Sequence, residues 1–108
     1  MRFMCKITVR PSPIHGHGVF ARKTIRKGER IGRYYSRKTT QDGTYVLWLC
    51  DEETNEVSGY DGIGRLRFLN HSSSPNSEFD GLDLFATRSI QAGEEITFHY
   101  GDEWAGVP

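Results

Sequence analysis

Three short stretches of this 108-residue chain carry residue types that could do chemistry as well as build a scaffold. The first is Ile14-His15-Gly16-His17-Gly18. Glycines two apart let backbone approach a ligand closely and offer N–H groups to a carboxylate or phosphate. No helix pattern follows them, so a dinucleotide-binding loop is excluded. The second stretch is Arg67-Phe68-Leu69-Asn70-His71-Ser72-Ser73-Ser74-Pro75-Asn76. Asn70 and His71 directly follow apolar residues, which sets donors and acceptors beside a core, either to tie a loop together or to hold a polar ligand. The third runs Glu94-Glu95-Ile96-Thr97-Phe98-His99-Tyr100-Gly101-Asp102-Glu103-Trp104. Strand alternation puts Thr97 and His99 on one face and Phe98 and Tyr100 on the other. A tyrosine that ends a strand before a glycine can bury its ring and present its hydroxyl to a cavity. Each stretch also has a plainer reading: a Gly-rich turn, a Ser/Pro/Asn turn, and two core aromatics with Trp104 over their edge.

The elements that must position these residues are short strands. Lys6–Val9, Gly18–Ala21, Arg30–Tyr35, Thr44–Cys50, Leu84–Thr87 and Glu95–Tyr100 read as strands, with Pro11 and Pro13 ending the first. Turns are expected at Lys27-Gly28, Asp42-Gly43, Asp80-Gly81 and Ala92-Gly93. Only Ile63–Asn70 has room for a helical turn or two, with Ile63, Leu66 and Asn70 on one face. The fold class is mainly β. Twelve residues from Phe20 to Ile31 recur as Phe85 to Ile96, with Phe, Ala, Ile, Gly, Glu and Ile matching at an offset of 65. Each copy reads as strand, turn with an Ile plug, Gly, then strand.

Composition bounds what this frame can serve. The length fits one domain, and 36% hydrophobic against 26% charged residues allows a modest core. No apolar window approaches 18 residues and the N-terminus MRFMCKITVR has no apolar run, so neither a membrane span nor a signal peptide is expected. Cys5 and Cys50 could pair as a disulfide, with two reduced thiols the plainer reading, and two cysteines with four dispersed histidines give no zinc spacing. A cytoplasmic protein, or one delivered into a host cell, fits these bounds. The zero formal charge argues against direct nucleic-acid binding. It conceals a division: residues 1–40 hold eleven Lys and Arg against Glu29 alone, while residues 41–108 hold three Arg against thirteen acids.

Taken in order, the stretches resemble one family, the SET-domain protein lysine methyltransferases, over roughly Ile7 to Trp104. The glycine pair Gly16/Gly18, the block Arg67-Phe68-x-Asn70-His71-Ser72-x-x-Pro75-Asn76 and the ending Gly93-Glu94-Glu95-Ile96-Thr97-Phe98-x-Tyr100-Gly101 carry the likeness. At this length it looks like the minimal form of short viral and bacterial members. The resemblance implies a SET-type fold of several small sheets, with a C-terminal pseudoknot in which the chain end threads under Asn-His-Ser. It implies S-adenosylmethionine as cofactor and a lysine in a basic segment of a protein or peptide, histone or other, as substrate. Gly16, His17 and Gly18 would contact the methionine part, and Asn70 and His71 would hold the cofactor. Tyr100 matches the catalytic tyrosine, and Phe98 the position that limits methyl number. Tyr45 resembles a lysine-channel tyrosine, and Trp104 is assigned to the adenine or the channel mouth. The family often carries a zinc-binding Cys after Asn-His-Ser. Ser73 stands there and no Cys follows Cys50, so residues 1–108 are expected as a single SET domain with no metal and no zinc-binding segment. A homodimer is one way to close the side of the channel that segment would cover. The alternative reading is a non-catalytic SET-like module that binds a basic peptide.

The residue types suit the chemistry so implied. Methyl transfer to an amine is an in-line displacement that needs position more than acid–base groups. The amine must be neutral, and with a lysine pKa of about 10.4 only about one in 2,500 is neutral at pH 7. A narrow aromatic channel and a nearby sulfonium both lower that pKa. The rings of Tyr45, Phe98 and Tyr100 would also attract the ammonium before it loses its proton.

Overall fold

The computed structural model describes residues 5–50 and 53–99. Ten strands and one 3₁₀ turn follow in order: β1 Ile7–Pro11, β2 His17–Ala21, β3 Arg30–Arg33, β4 Ser36–Thr39, β5 Val46–Cys50 and β6 Val57–Gly62, then the turn Arg65–Phe68, then β7 Asn70–His71, β8 Ser77–Asp80, β9 Asp83–Ala86 and β10 Glu95–Phe98. They form three small sheets, in orders β1-β2-β10-β7, β3-β9-β8 and β4-β6-β5. The mainly β fold of several small sheets is the one expected. Val19, Ile25, Leu84, Ile90 and Ile96 are fully buried at its centre.

Strand positions follow the sequence pattern with instructive differences. Pro11 closes β1 instead of breaking the chain before it, because among the described residues β1 is the edge of its sheet and pairs with β2 alone. The expected strand Arg30–Tyr35 stops at Arg33. Tyr34 N–H then donates to Leu82 O at 2.7 Å, and the chain crosses to β4 in another sheet. Strand β6 was hidden by Gly59, Asp61 and Gly62, poor strand formers that are held here by pairing to β4 and β5 on both edges. The helical segment contracts to one 3₁₀ turn, so Ile63 lies ahead of it and is 54% exposed, while Leu66 is buried. Asn70 is buried in β7, not on a helix face.

The internal repeat is a structural one. Ile25 and Ile90 form an antiparallel bridge in which each N–H donates to the other's carbonyl at 2.8 Å. Around it, the bonds within and between the two turns come in pairs offset by 65 residues. Ala21 N–H donates to Glu94 O and Ala86 N–H to Glu29 O, at 2.9 and 3.0 Å. Gly28 N–H donates to Ala86 O and Gly93 N–H to Ala21 O, both at 2.8 Å. Glu29 and Glu94 accept from the N–H of Arg26 and Gln91 in the same way. Gly28 and Gly93 have φ of +83° and +92°, the left-handed conformation that favours glycine. The two copies therefore clasp each other about a local two-fold axis through the isoleucine pair.

This clasp draws the last described strand inward. β10 lies between β2, antiparallel with Ile96 opposite Val19, and β7, parallel with Thr97 opposite Asn70 and Phe98 opposite His71. The second and third stretches thus run side by side, as a late segment drawn under Asn-His-Ser requires. The two halves of the charge division meet inside the sheets. First-half strands pair with second-half strands in all three sheets, and Arg30 lies 2.9 Å from Asp83.

Ile25→Ala and Ile90→Ala are each expected to lower the unfolding free energy by about 2–5 kcal/mol in urea titrations. Because the two residues share one contact, the double variant is expected to depart from additivity by about 0.5 kcal/mol or more.

Candidate functional site

The glycine stretch forms the connection Ser12–Gly16 between β1 and β2. Ser12 N–H donates to Gly16 O at 2.8 Å, and Ile14 N–H donates to Ser12 Oγ at 3.0 Å, which closes the loop on itself. Gly16 has φ +46°, and a side chain there would meet nothing within 4 Å among the described residues. The loop therefore presents bare backbone to open space, a cradle with no side chain in the way.

Asn70 holds this loop from inside. Its amide nitrogen donates to His15 O and His17 O at 3.1 Å each, to Ser12 Oγ at 3.1 Å and to Glu95 Oε2 at 2.8 Å. Two N–H bonds serve four acceptors, so these are shared bonds. The side chain is 7% exposed and its donors are engaged within the protein. What it supplies to a neighbouring ligand is the placement of the loop. His71 is buried beside it, its ring 4.8 Å from that of His99.

A row of rings links the loop to a cavity. The His17 ring lies 6.0 Å from that of Phe68, which lies 5.8 Å from that of Tyr45. The Arg67 guanidinium packs over Phe68 at 4.2 Å and is fixed by bonds to Ile63 O and Gly64 O at 3.0 and 2.9 Å. Beyond Tyr45 opens a cavity of about 490 Å³, walled by Tyr34, Tyr45, Trp48, Leu66, Leu69 and Phe98. Tyr34 is buried and its hydroxyl donates to Tyr45 O. At the rim, Asp42 accepts a bond from Trp48 Nε1 at 3.0 Å. That bond, with the Gly43 backbone N–H, holds the Asp42 carboxyl below the usual range, so it is an anion at neutral pH. A second cavity of about 320 Å³ lies between β5 and β8, with Phe98 in the wall of both.

The structure thus gathers Gly16, His17, Gly18 and Asn70 around one loop, with His71 next to Asn70 but against His99, and Tyr45 and Phe98 around one cavity. Tyr100 and Trp104 lie outside the described residues. Residues with no site role expected from the sequence complete the arrangement: Ser12 and, within the third stretch, Glu95 beneath the loop, and Tyr34 in the cavity wall. Asn76 and Ser77 were also missed as supports of β10. Asn76 donates to Glu95 O at 2.8 Å and accepts from Thr97 N–H at 2.9 Å, and Ser77 Oγ donates to Thr97 O at 2.6 Å. Polar residues between β7 and β8 were the signal available for these last two. Nothing local marks Ser12 or Tyr34.

Comparison with known proteins identifies the family. The model of the SET domain matches residues 16–101. Over 92 residues the chain is 37% identical to histone-lysine N-methyltransferase SUV39H2 of Gallus gallus, covering 71% of this chain and 21% of that protein. It is 29% identical over 115 residues to histone-lysine N-methyltransferase MEDEA of Arabidopsis thaliana, covering 88% of this chain and 16% of that protein. The chain thus spans about a fifth of the length of these relatives or less. A crystal structure from Plasmodium falciparum, described as a candidate histone methyltransferase, has a TM-score of 0.68 and 24% identity, covering 94% of this chain and 98% of that one. At that identity the likeness concerns the fold. The family match takes in strands of all three sheets and all or part of each of the three stretches, and the chain belongs to the SET-domain family.

Proposed function

We propose that this chain is a protein-lysine N-methyltransferase that uses S-adenosylmethionine and acts on a lysine in a histone-like basic segment. The observation that carries this reading is the aromatic cavity one ring layer away from a bare-backbone loop. The open face at Gly16 suits the methionine part of the cofactor, which needs close backbone approach. Gly16, His17 and Gly18 would hold that part, with Asn70 and His71 beside it and Trp104 over the adenine or the channel mouth. When bound, the cofactor supplies a methyl group activated by a sulfonium.

The protein's share of the work is position and desolvation. In this reading the substrate lysine enters between Tyr45 and Phe98, where aromatic walls attract the ammonium and the loss of water favours its neutral form. Tyr100, two residues beyond Phe98, orients the reacting groups through its hydroxyl. Phe98 leaves space that a tyrosine hydroxyl would fill, so a second and third methyl group fit. β5 and β8 are edge strands of their sheets among the described residues, and the second cavity opens between them. An extended peptide can add to such an edge through main-chain bonds. Asp42 and Glu78, which line the two cavities, favour a basic sequence around the lysine.

Tyr100→Phe is expected to lower kcat roughly 10²-fold on histone or basic-peptide substrates, while cofactor affinity measured by calorimetry stays near wild type. Full labelling by this variant would sink the mechanism, and cofactor binding with no labelling of any protein would favour a binding module. Mass spectrometry of the product should show di- or trimethyl-lysine with the wild type and monomethyl-lysine with Phe98→Tyr. The KM for a basic peptide should rise with ionic strength, as contacts to Asp42 and Glu78 are screened.

A further inference from the structure

The local two-fold relation exposes a residue with no assigned role. Position 95 in the second copy corresponds to position 30 in the first, and position 83 corresponds to position 18. On one side of the axis, Arg30 Nε and Nη2 donate to Asp83 Oδ1 at 3.0 and 2.9 Å, an exposed pair between β3 and β9. On the other side the same two places hold Glu95 and Gly18. The space is filled differently there. A Cβ on Gly18 would lie 2.9 Å from Glu95 Cδ and 3.0 Å from Ser12 Cβ, so the glycine is required by the carboxylate that packs against it. The hairpins differ as well. β8 and β9 are joined by Gly81-Leu82 alone, whereas β1 and β2 are joined by the five residues Ser12–Gly16.

A five-residue loop of this kind has no partner strand, so something must hold it. Glu95 does so with both oxygens. Oε1 accepts from Ser12 Oγ at 2.7 Å and Oε2 from Asn70 at 2.8 Å, while Asn70 reaches on to the carbonyls of His15 and His17. Bonds to an ionised acceptor are about twice as strong as neutral ones. We propose that Glu95 is a positioning residue of the cofactor site: its carboxylate latches the Ser12–Gly18 loop in the open form before any ligand arrives. The assignment rests on the methyltransferase reading for the identity of the ligand, but the latch belongs to the free protein. The hairpin leading into one copy of the repeat thus supplies the loop, and the other copy supplies the group that sets it. Gly18 is glycine because of Glu95, in addition to any closeness to a ligand.

The test is hydrogen exchange of the full chain without cofactor, with calorimetric binding of S-adenosylhomocysteine and steady-state kinetics beside it. In Glu95→Ala the amides of residues 12–18 should exchange about tenfold faster, with those of residues 77–86 unchanged, and the S-adenosylhomocysteine Kd should rise about tenfold. The KM for S-adenosylmethionine should rise in step, with kcat at saturation nearly unchanged. Glu95→Gln, which keeps an oxygen acceptor, should recover part of the effect. Ser12→Ala removes the same bond from the loop side and should reproduce the faster loop exchange, even if Glu95→Ala fails to fold. Wild-type loop exchange and affinity in folded Glu95→Ala would overturn the latch, as would equal acceleration in residues 77–86. Failure of the wild type to bind S-adenosylhomocysteine would overturn the cofactor reading instead, and faster loop exchange would then still support the latch.

Discussion

β10 is a strand of four residues, of which Ile96, Thr97 and Phe98 are buried, and its backbone polar groups must find partners away from water. A buried N–H or C=O left unpaired costs about 1–3 kcal/mol, so this requirement organises what surrounds it. On one side β2 pairs with it. On the other, β7 covers only the end of the strand, and side chains complete the ladder. Asn76 both donates and accepts as a strand residue would, serving Glu95 O and Thr97 N–H, and Ser77 Oγ serves Thr97 O. The polar block after Leu69 is therefore first a set of partners for β10. Once satisfied, the same strand holds Phe98 at the cavity and Glu95 beneath the glycine loop.

The clasp of the two repeat copies is what brings β10 to this place. The Ile25–Ile90 bridge and its flanking bonds are reciprocal, so each copy completes the other's turn. Symmetry ends at the hairpins, where the first copy has a five-residue loop and the second a tight turn. A long loop on one copy, with a carboxylate on the other facing it, produces a single site from a doubled frame. Equivalent positions carry opposite chemistry because one lies at the exposed surface and the other beneath the loop. Arg30 pairs with Asp83 in water, whereas Glu95 collects donors in a partly buried pocket.

The neutral total charge takes its meaning from the same topology. Each sheet has one border where a first-half strand pairs with a second-half strand, and the ion pairs Arg30–Asp83 and Arg33–Asp83 cross that border between β3 and β9. Part of the division seen in sequence is thus attraction within the fold. Asp42 and Glu78 are the acids that line the cavities, and Arg67 the base. The Arg67 guanidinium is engaged by two backbone carbonyls and the face of Phe68, so the rim is left with the two acids as its outward charge.

Residue types and spacing by themselves determined the mainly β class, the doubled unit, the family and the positions of the loop, the Asn-His segment and the Phe98 strand. These follow from local rules: alternation makes strands, glycine after an isoleucine plug makes a turn, and a motif of ordered polar residues survives in the chain as written. Tertiary structure alone decided that Asn70 faces the loop carbonyls, that Tyr34 braces Tyr45, and that Ser12 meets Glu95 from 83 residues away. It also decided that β6, rich in residues that disfavour strands, is the centre of its sheet. The reason is the same in each case. Hydrogen bonds and packing between distant segments depend on which strand lies beside which, and the alternation within any one segment carries no record of its neighbours.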